Sequence, residues 1–114
     1  MASSIRAGEQ YVFINAASNT AIDLANGSST PDTRVQGWNP AWNVRDIRNQ
    51  IWIIEPQSDS WYKIRNRASW TCMDLENGSN DPGTHIRGMP DRDYSAQQWS
   101  FRKVGSRIGY PVAW

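Results

Sequence analysis

Along the chain, short apolar runs alternate with polar positions and are cut off by turn-forming residues. Tyr11–Ile14 is one such run and Ala21–Leu24 the next; Arg34–Trp38 and Trp52–Ile54 follow after breaks rich in Asn, Gly, Ser and Pro. Runs this short, bounded this way, predict β-strands. No stretch places apolar residues at the three- and four-residue spacing of an amphipathic helix, so the expected fold is all-β. Asn26-Gly27-Ser28 predicts a tight turn, because Asn and Gly both tolerate positive φ, and Pro31 keeps the loop after it out of regular structure.

The pattern occurs twice. Tyr11–Ser28 aligns without gaps to Tyr62–Ser79, with ten of eighteen positions identical. The match continues through Pro31/Pro82, Thr33/Thr84 and Gly37/Gly88, and resumes after a shorter loop at Gln50-Ile51-Trp52 and Gln97-Gln98-Trp99. The chain therefore reads as one domain over residues 1–114 built from two four-strand units, about 9–57 and 58–104, with a tail at 105–114. The Asn-Gly-Ser triplets at Asn26 and Asn77 match the glycosylation sequon, but turn geometry explains their recurrence more simply.

Composition narrows the function classes. The 114 residues suit a single core, and 12 Lys and Arg against 11 Asp and Glu, scattered in both signs, leave no basic stripe for nucleic acid. No apolar run approaches a membrane span, and Met1–Gln10 holds no secretory leader, so the expectation is a cytoplasmic protein or one released without a signal peptide. Cys72 is the only cysteine and is expected to be buried and structural; His85 is the only histidine and reads as a surface strand residue. Neither supports a metal site or a His-based triad, and no cofactor is implied. Asp91 and Asp93 form a carboxylate pair, read as solvated loop charges rather than a glycosidase acid and nucleophile, so no enzyme is expected. Seven Trp and four Tyr against two Phe favour flat rings with a polar handle, some of them for ligand contact.

Asp23-Leu24, then Gly37-Trp38, then Gln50-Ile51-Trp52, with the same frame in the second copy, resembles the ricin-B (R-type) lectin family. In wording the repeats are similar to mushroom agglutinins of the Marasmius oreades type. The resemblance covers about Gly8–Val104 and implies a β-trefoil-like fold and binding of galactose-type glycans. It also implies a site in the first repeat. Asp23 and Asn49 would hydrogen-bond sugar hydroxyls, Trp38 would stack on the pyranose face, and Gln36 and Gln50 would orient the others. Asp23 and Trp38 are both expected on an exposed site. Gln50 and Gln97 also have a structural reading, tying the loop to backbone groups. Trp52, Trp99, Leu24 and Leu75 are expected in the core.

The second repeat keeps Asp74 and Gln97 but has Arg87, Met89 and Ala96 where the first has Gln36, Trp38 and Asn49. A weak second site at Asp74, Tyr94 and Gln97 is the expectation, with Tyr94 restoring a stacking surface. Trp42, in the longer loop of the first repeat, could touch a further sugar unit.

A trefoil has three lobes, whereas here Gly105–Trp114 stands in place of the third. Either the sequence is a shortened form or the barrel is incomplete and another chain covers its edge. A homodimer is expected, with Ile108, Tyr110, Val112 and Trp114 forming one apolar face of the tail. The competing reading is a protein-binding trefoil, a protease inhibitor or auxiliary subunit with a vestigial sugar site.

Overall fold

The computed structural model describes residues 5–41 and 47–101. The first repeat supplies β1 (Gln10–Tyr11), β2 (Ala21–Leu24), β3 (Thr33–Trp38) and β4 (Trp52–Pro56); the second supplies β5 (Tyr62–Asn66), β6 (Cys72–Leu75) and β7 (Ile86–Met89). They form one sheet in the order β1-β4-β5-β6-β7-β3-β2, every pair antiparallel. The first predicted run is shorter as a strand than its apolar pattern suggested. Tyr11 pairs with Trp52, but Ile14 makes only a single bridge to Ala21, because Asn15 turns the chain by accepting Ala17 N–H on Oδ1 at 2.9 Å. In the second repeat the fourth strand is likewise reduced to a bridge between Tyr62 and Trp99.

Alternation along the strands sorts the side chains. Ile54 and Ile64 sit opposite each other and point into the core, while the next pair, Glu55 and Lys63, lies on the other face. Leu24, Trp52, Ile54, Ile64 and Met73 form the buried cluster, with Tyr11, Phe13, Ile22, Val35, Tyr62 and Trp99 packed against it. Each fully buried large side chain here contributes roughly 1.5–3 kcal/mol. Both repeats feed this cluster, so the core lies between them. The two Gln-x-Trp tryptophans hold it together in the same way: Trp52 Nε1 donates to Ile22 O at 3.1 Å and Trp99 Nε1 to Met73 O at 3.0 Å.

Leu75 departs from expectation: it is half-buried and outside the cluster, whereas Leu24 is fully buried. Leu24 packs on Gly88 of β7 so closely that a Cβ there would come within 2.7 Å of Leu24 Cδ1. The equivalent neighbour of Leu75 would belong to a third repeat, and the described residues contain none. Each Asn-Gly turn takes the left-handed conformation that was expected, with φ of 56° and 60° at Asn26 and Gly27 and the same values at Asn77 and Gly78. Cys72 is buried, as expected; His85 is exposed but precedes β7 rather than lying in it.

The two hairpins meet where β3 pairs with β7, Thr33 opposite Gly88 and Arg34 opposite Arg87. The repeat counterparts of Thr33 and Gly88 are Thr84 and Gly37. Among the described residues these two do not pair; both instead line a groove of about 600 Å³ that also includes Val35, Thr20 and Ile86. Among the described residues no third hairpin makes the same contact on that side. The tail at 105–114 and Trp42, both assigned roles from sequence, lie outside the described residues.

Candidate functional site

The β2–β3 register places Asp23 opposite Gln36 and Ala21 opposite Trp38. Residues two apart on a strand share a face, so Asp23, Gln36 and Trp38 come together on one side of the hairpin. A short 3₁₀ turn at Arg48–Gln50, just before β4, then brings Asn49 and Gln50 against the Asp23 carboxylate. Gln36 Nε2 donates to Asp23 Oδ1 at 3.2 Å, while Asn49 Nδ2 and Gln50 Nε2 donate to Oδ2 at 2.8 and 3.0 Å. An ionised carboxylate has about four lone-pair sites, so three amide donors leave it one more bond to accept. Gln50 also donates to Asn39 O at 2.9 Å and accepts from Ala41 N–H at 3.1 Å. It is the clamp that fixes the start of the long loop to the site, which is the structural role allowed for it.

Four of the five residues assigned from sequence are therefore joined by hydrogen bonds, and the fifth stands beside them. One expectation is corrected: Asp23 is not on an exposed surface but only 1% accessible. It lies beneath its three amide donors, which screen it from solvent. Trp38 is 58% accessible and leaves its ring available.

The second repeat rebuilds half of this cluster. Gln97 Nε2 donates to Asp74 Oδ2 at 3.1 Å and to Pro90 O at 2.9 Å, and Gln97 Oε1 accepts from Arg92 N–H at 2.8 Å, reproducing the Gln50 bonds one for one. Arg87 Nε takes the place of the Gln36 amide, donating to Asp74 Oδ1 at 3.0 Å, and Arg87 Nη1 reaches Asp32 of the first repeat at 3.1 Å. Ala96 supplies no amide, and Met89, half-buried, supplies no ring; its sulfur lies 3.2 Å from the Asp32 amide nitrogen, which donates to it. What remains is a cleft of about 330 Å³ lined by Arg87, Tyr94 and Ala96, with Tyr94 exposed as a stacking surface there requires.

Asp91 was read as a solvated loop charge; it is exposed, with its side chain 44% accessible, but it is also ion-paired, which the sequence did not signal. It pairs with Lys63 Nζ and, at 2.8 Å, with Arg65 Nη2, while Arg65 also donates to both oxygens of Glu55 at 2.7 and 3.0 Å. The Lys63 ammonium, and after it the Arg65 guanidinium, hold the Asp91 carboxyl below the usual carboxylate range. Asp91 is brought in from 26 residues beyond Arg65 and leaves no local signal in the sequence. Among the described residues no group of three or more His, Cys, Asp or Glu could hold a metal ion, and no helix is long and apolar enough to cross a membrane.

A family model described as ricin-type β-trefoil lectin domain-like matches residues 3–89. No curated protein matches the chain. Among solved structures it is similar to a designed three-fold symmetric protein, ThreeFoil, at TM-score 0.76 and 25% identity over 84% of this chain and 66% of that one. It is similar to the Polyporus squamosus lectin at TM-score 0.69 and 27% identity, over 89% of this chain and 35% of the other. The Rhizoctonia solani agglutinin, at TM-score 0.68 and 22% identity over 96% and 69%, shares the fold. The chain thus spans just under two thirds of the designed protein and about a third of the Polyporus lectin.

Proposed function

The chain belongs to the ricin-type β-trefoil lectin-like family, and from that premise we propose that it binds galactose-type (Gal or GalNAc) glycans through its first repeat. The observation that carries this reading is the placement of an exposed Trp38 beside the Asp23 carboxylate and the amides of Gln36, Asn49 and Gln50. A pyranose presents an apolar C–H face and an edge of hydroxyls. Trp38 offers the first a flat ring. The unspent N–H and carbonyl groups of Gln36 and Asn49, both anchored on the Asp23 carboxylate beneath them, offer the second both kinds of hydrogen-bonding partner. The Polyporus squamosus lectin was solved bound to Neu5Acα2-6Galβ1-4GlcNAc, a galactose-containing glycan, which favours the same sugar type here.

A glycan array probed with the full chain and with Trp38→Ala tests this. Gal- or GalNAc-terminated glycans should be retained by the wild-type chain and released by the variant. A silent array, or equal binding by both proteins, rejects the reading.

The groove beside Gly37 and Thr84 supports a homodimer, in which a second copy covers it and two first-repeat sites are presented together for cross-linking glycans. Sedimentation should show a dimer that dissociates when residues 105–114 are deleted; a monomer in both cases excludes it.

A further inference from the structure

The second-repeat cleft differs from the first-repeat site in kind as well as in strength. Where the first repeat carries the Gln36 and Asn49 amides, the second carries the Arg87 guanidinium and the Ala96 methyl, and Tyr94 lines the same cleft of about 330 Å³ with them. Arg87 is largely buried, its side chain 15% accessible, and is held from two sides: Nε donates to Asp74 at 3.0 Å and Nη1 to Asp32 at 3.1 Å. Nη2 donates to no atom among the described residues. It shares an edge of the guanidinium with Nε, the edge turned to Asp74, so its N–H groups lie on the side of the second-repeat cluster. A guanidinium donates and never accepts. The polar group fixed in this cleft therefore calls for an acceptor.

That acceptor must be neutral. Asp74 and Asp32 together outweigh the single charge on Arg87, so an anionic group entering there would meet net negative charge. A sugar hydroxyl is neutral, but it would set a polar group against the Ala96 methyl. A Cβ on Gly78 would stand 3.7 Å from Ala96 Cβ, whereas one on Gly27 would stand 3.3 Å from Asn49 Cβ, so the second repeat has an apolar floor and more room where the first has an amide. An acetamido group matches both features, its carbonyl oxygen accepting from Arg87 and its methyl packing on Ala96. Ser95, on the same cleft, offers a hydroxyl to accept the acetamido N–H. The ring that would carry the pyranose has moved as well. Met89, at the position of Trp38, is half-buried with its sulfur on the Asp32 N–H, and the exposed ring is Tyr94, from the loop after β7.

We propose that the cleft at Arg87, Tyr94 and Ala96 binds an N-acetylhexosamine through its acetamido group, giving the domain a second specificity beside that of the first repeat. This rests on the reading of the domain as carbohydrate-binding, but not on the first-repeat assignment.

The test titrates the full chain, wild-type and Trp38→Ala, with the methyl glycosides of N-acetylglucosamine, N-acetylgalactosamine, glucose, galactose and glucuronic acid, following binding by NMR. In Trp38→Ala at least one N-acetylated glycoside should bind about tenfold more tightly than its parent hexose, and the glucuronide should not bind. Adding Tyr94→Ala should abolish that binding. Adding Ala96→Asn instead, which installs the residue of the first repeat, should erase the preference for the acetamido group; unfolding midpoints show that both proteins remain folded. If the wild-type chain binds galactosides while Trp38→Ala binds no N-acetylated glycoside, or binds one undiminished by Tyr94→Ala, the second specificity is refuted and the first-repeat reading stands. Equal affinity for acetylated and parent sugars, or a preference for the glucuronide, overturns the acetamido assignment. If the wild-type chain binds none of the glycosides, both readings fall.

Discussion

Asn49 Nδ2 donates to Asp23 Oδ2 at 2.8 Å, and at the matching place in the second repeat Ala96 leaves Asp74 without that bond. The first-repeat turn is also the more tightly packed, a Cβ on Gly27 standing 3.3 Å from Asn49 Cβ against 3.7 Å from Gly78 to Ala96. Asn49→Ala should therefore make the first site resemble the second. Glycan affinity is expected to fall by about 1–3 kcal/mol, while folding loses only the net value of one hydrogen bond, about 0.5–1.5 kcal/mol. Calorimetry alongside urea unfolding separates the two.

Asp23→Ala and Trp38→Ala should part company in the same pair of measurements. Removing the buried carboxylate strips the acceptor from three amide donors, and a single buried unsatisfied group costs about 1–3 kcal/mol. Trp38→Ala touches an exposed ring, so its midpoint of unfolding should match the wild type while glycan binding drops. A Trp38→Ala protein as unstable as Asp23→Ala would place Trp38 in the fold's support.

Gly88→Ala probes the contact between repeats. The added methyl would sit 2.7 Å from Leu24 Cδ1 and 3.0 Å from Thr71 Oγ1, in a region already packed on both sides. Overpacking of this kind costs about 1–3 kcal/mol. Gly83→Ala is the control: it meets nothing within 4 Å, and its cost is that of the left-handed backbone alone.

Acid should act through Asp91. Its carboxyl is held low by Lys63 first and Arg65 second, so the stability it contributes is complete above the ordinary aspartate pKa of about 3.9 and is lost as pH falls through the depressed folded value. Lys63 is raised by the same hydrogen bond, so its share is complete below about 10.4 and fades as pH rises through its folded value. Unfolding free energy measured against pH should be flat from the ordinary aspartate range up to the ordinary thiol pKa of about 8.5. Above that, Cys72, held protonated in the fold to about 11, adds a falling limb ahead of Lys63. Asp91→Asn should lower the plateau and flatten the acid limb; an unchanged curve would show the pair to be without consequence.

Cys72 should be chemically silent in the folded protein. Burial pushes its thiol up to about 11, against the opposing pull of Arg65, so almost no thiolate exists at neutral pH. Iodoacetamide should label it only in denaturant, and labelling of the native chain at the rate of a free thiol would contradict its burial.

The repeat, the strand positions, the left-handed Asn-Gly turns and the core role of Trp52 were readable in sequence because each has a short-range signature: period-two alternation, a turn dipeptide, a recurring spacing. The residues gathered at Asp23 were also readable, since the Asp, the Gly-Trp and the Gln-x-Trp recur in register. Their depth was not. Asp23 looks the same in sequence whether buried or exposed, and only the closing of Asn49 and Gln50 over it, 26 and 27 residues away, put it out of reach of water. Leu24 and Leu75 have matching contexts, yet one meets Gly88 and the other has no such neighbour among the described residues, because packing depends on which repeat lies alongside. Asp91 and Trp70 converge on Arg65 through strand pairing and loop placement that no local pattern encodes. Burial and charge pairing depend on distances in space, and along this chain those were decided only when the two repeats came together.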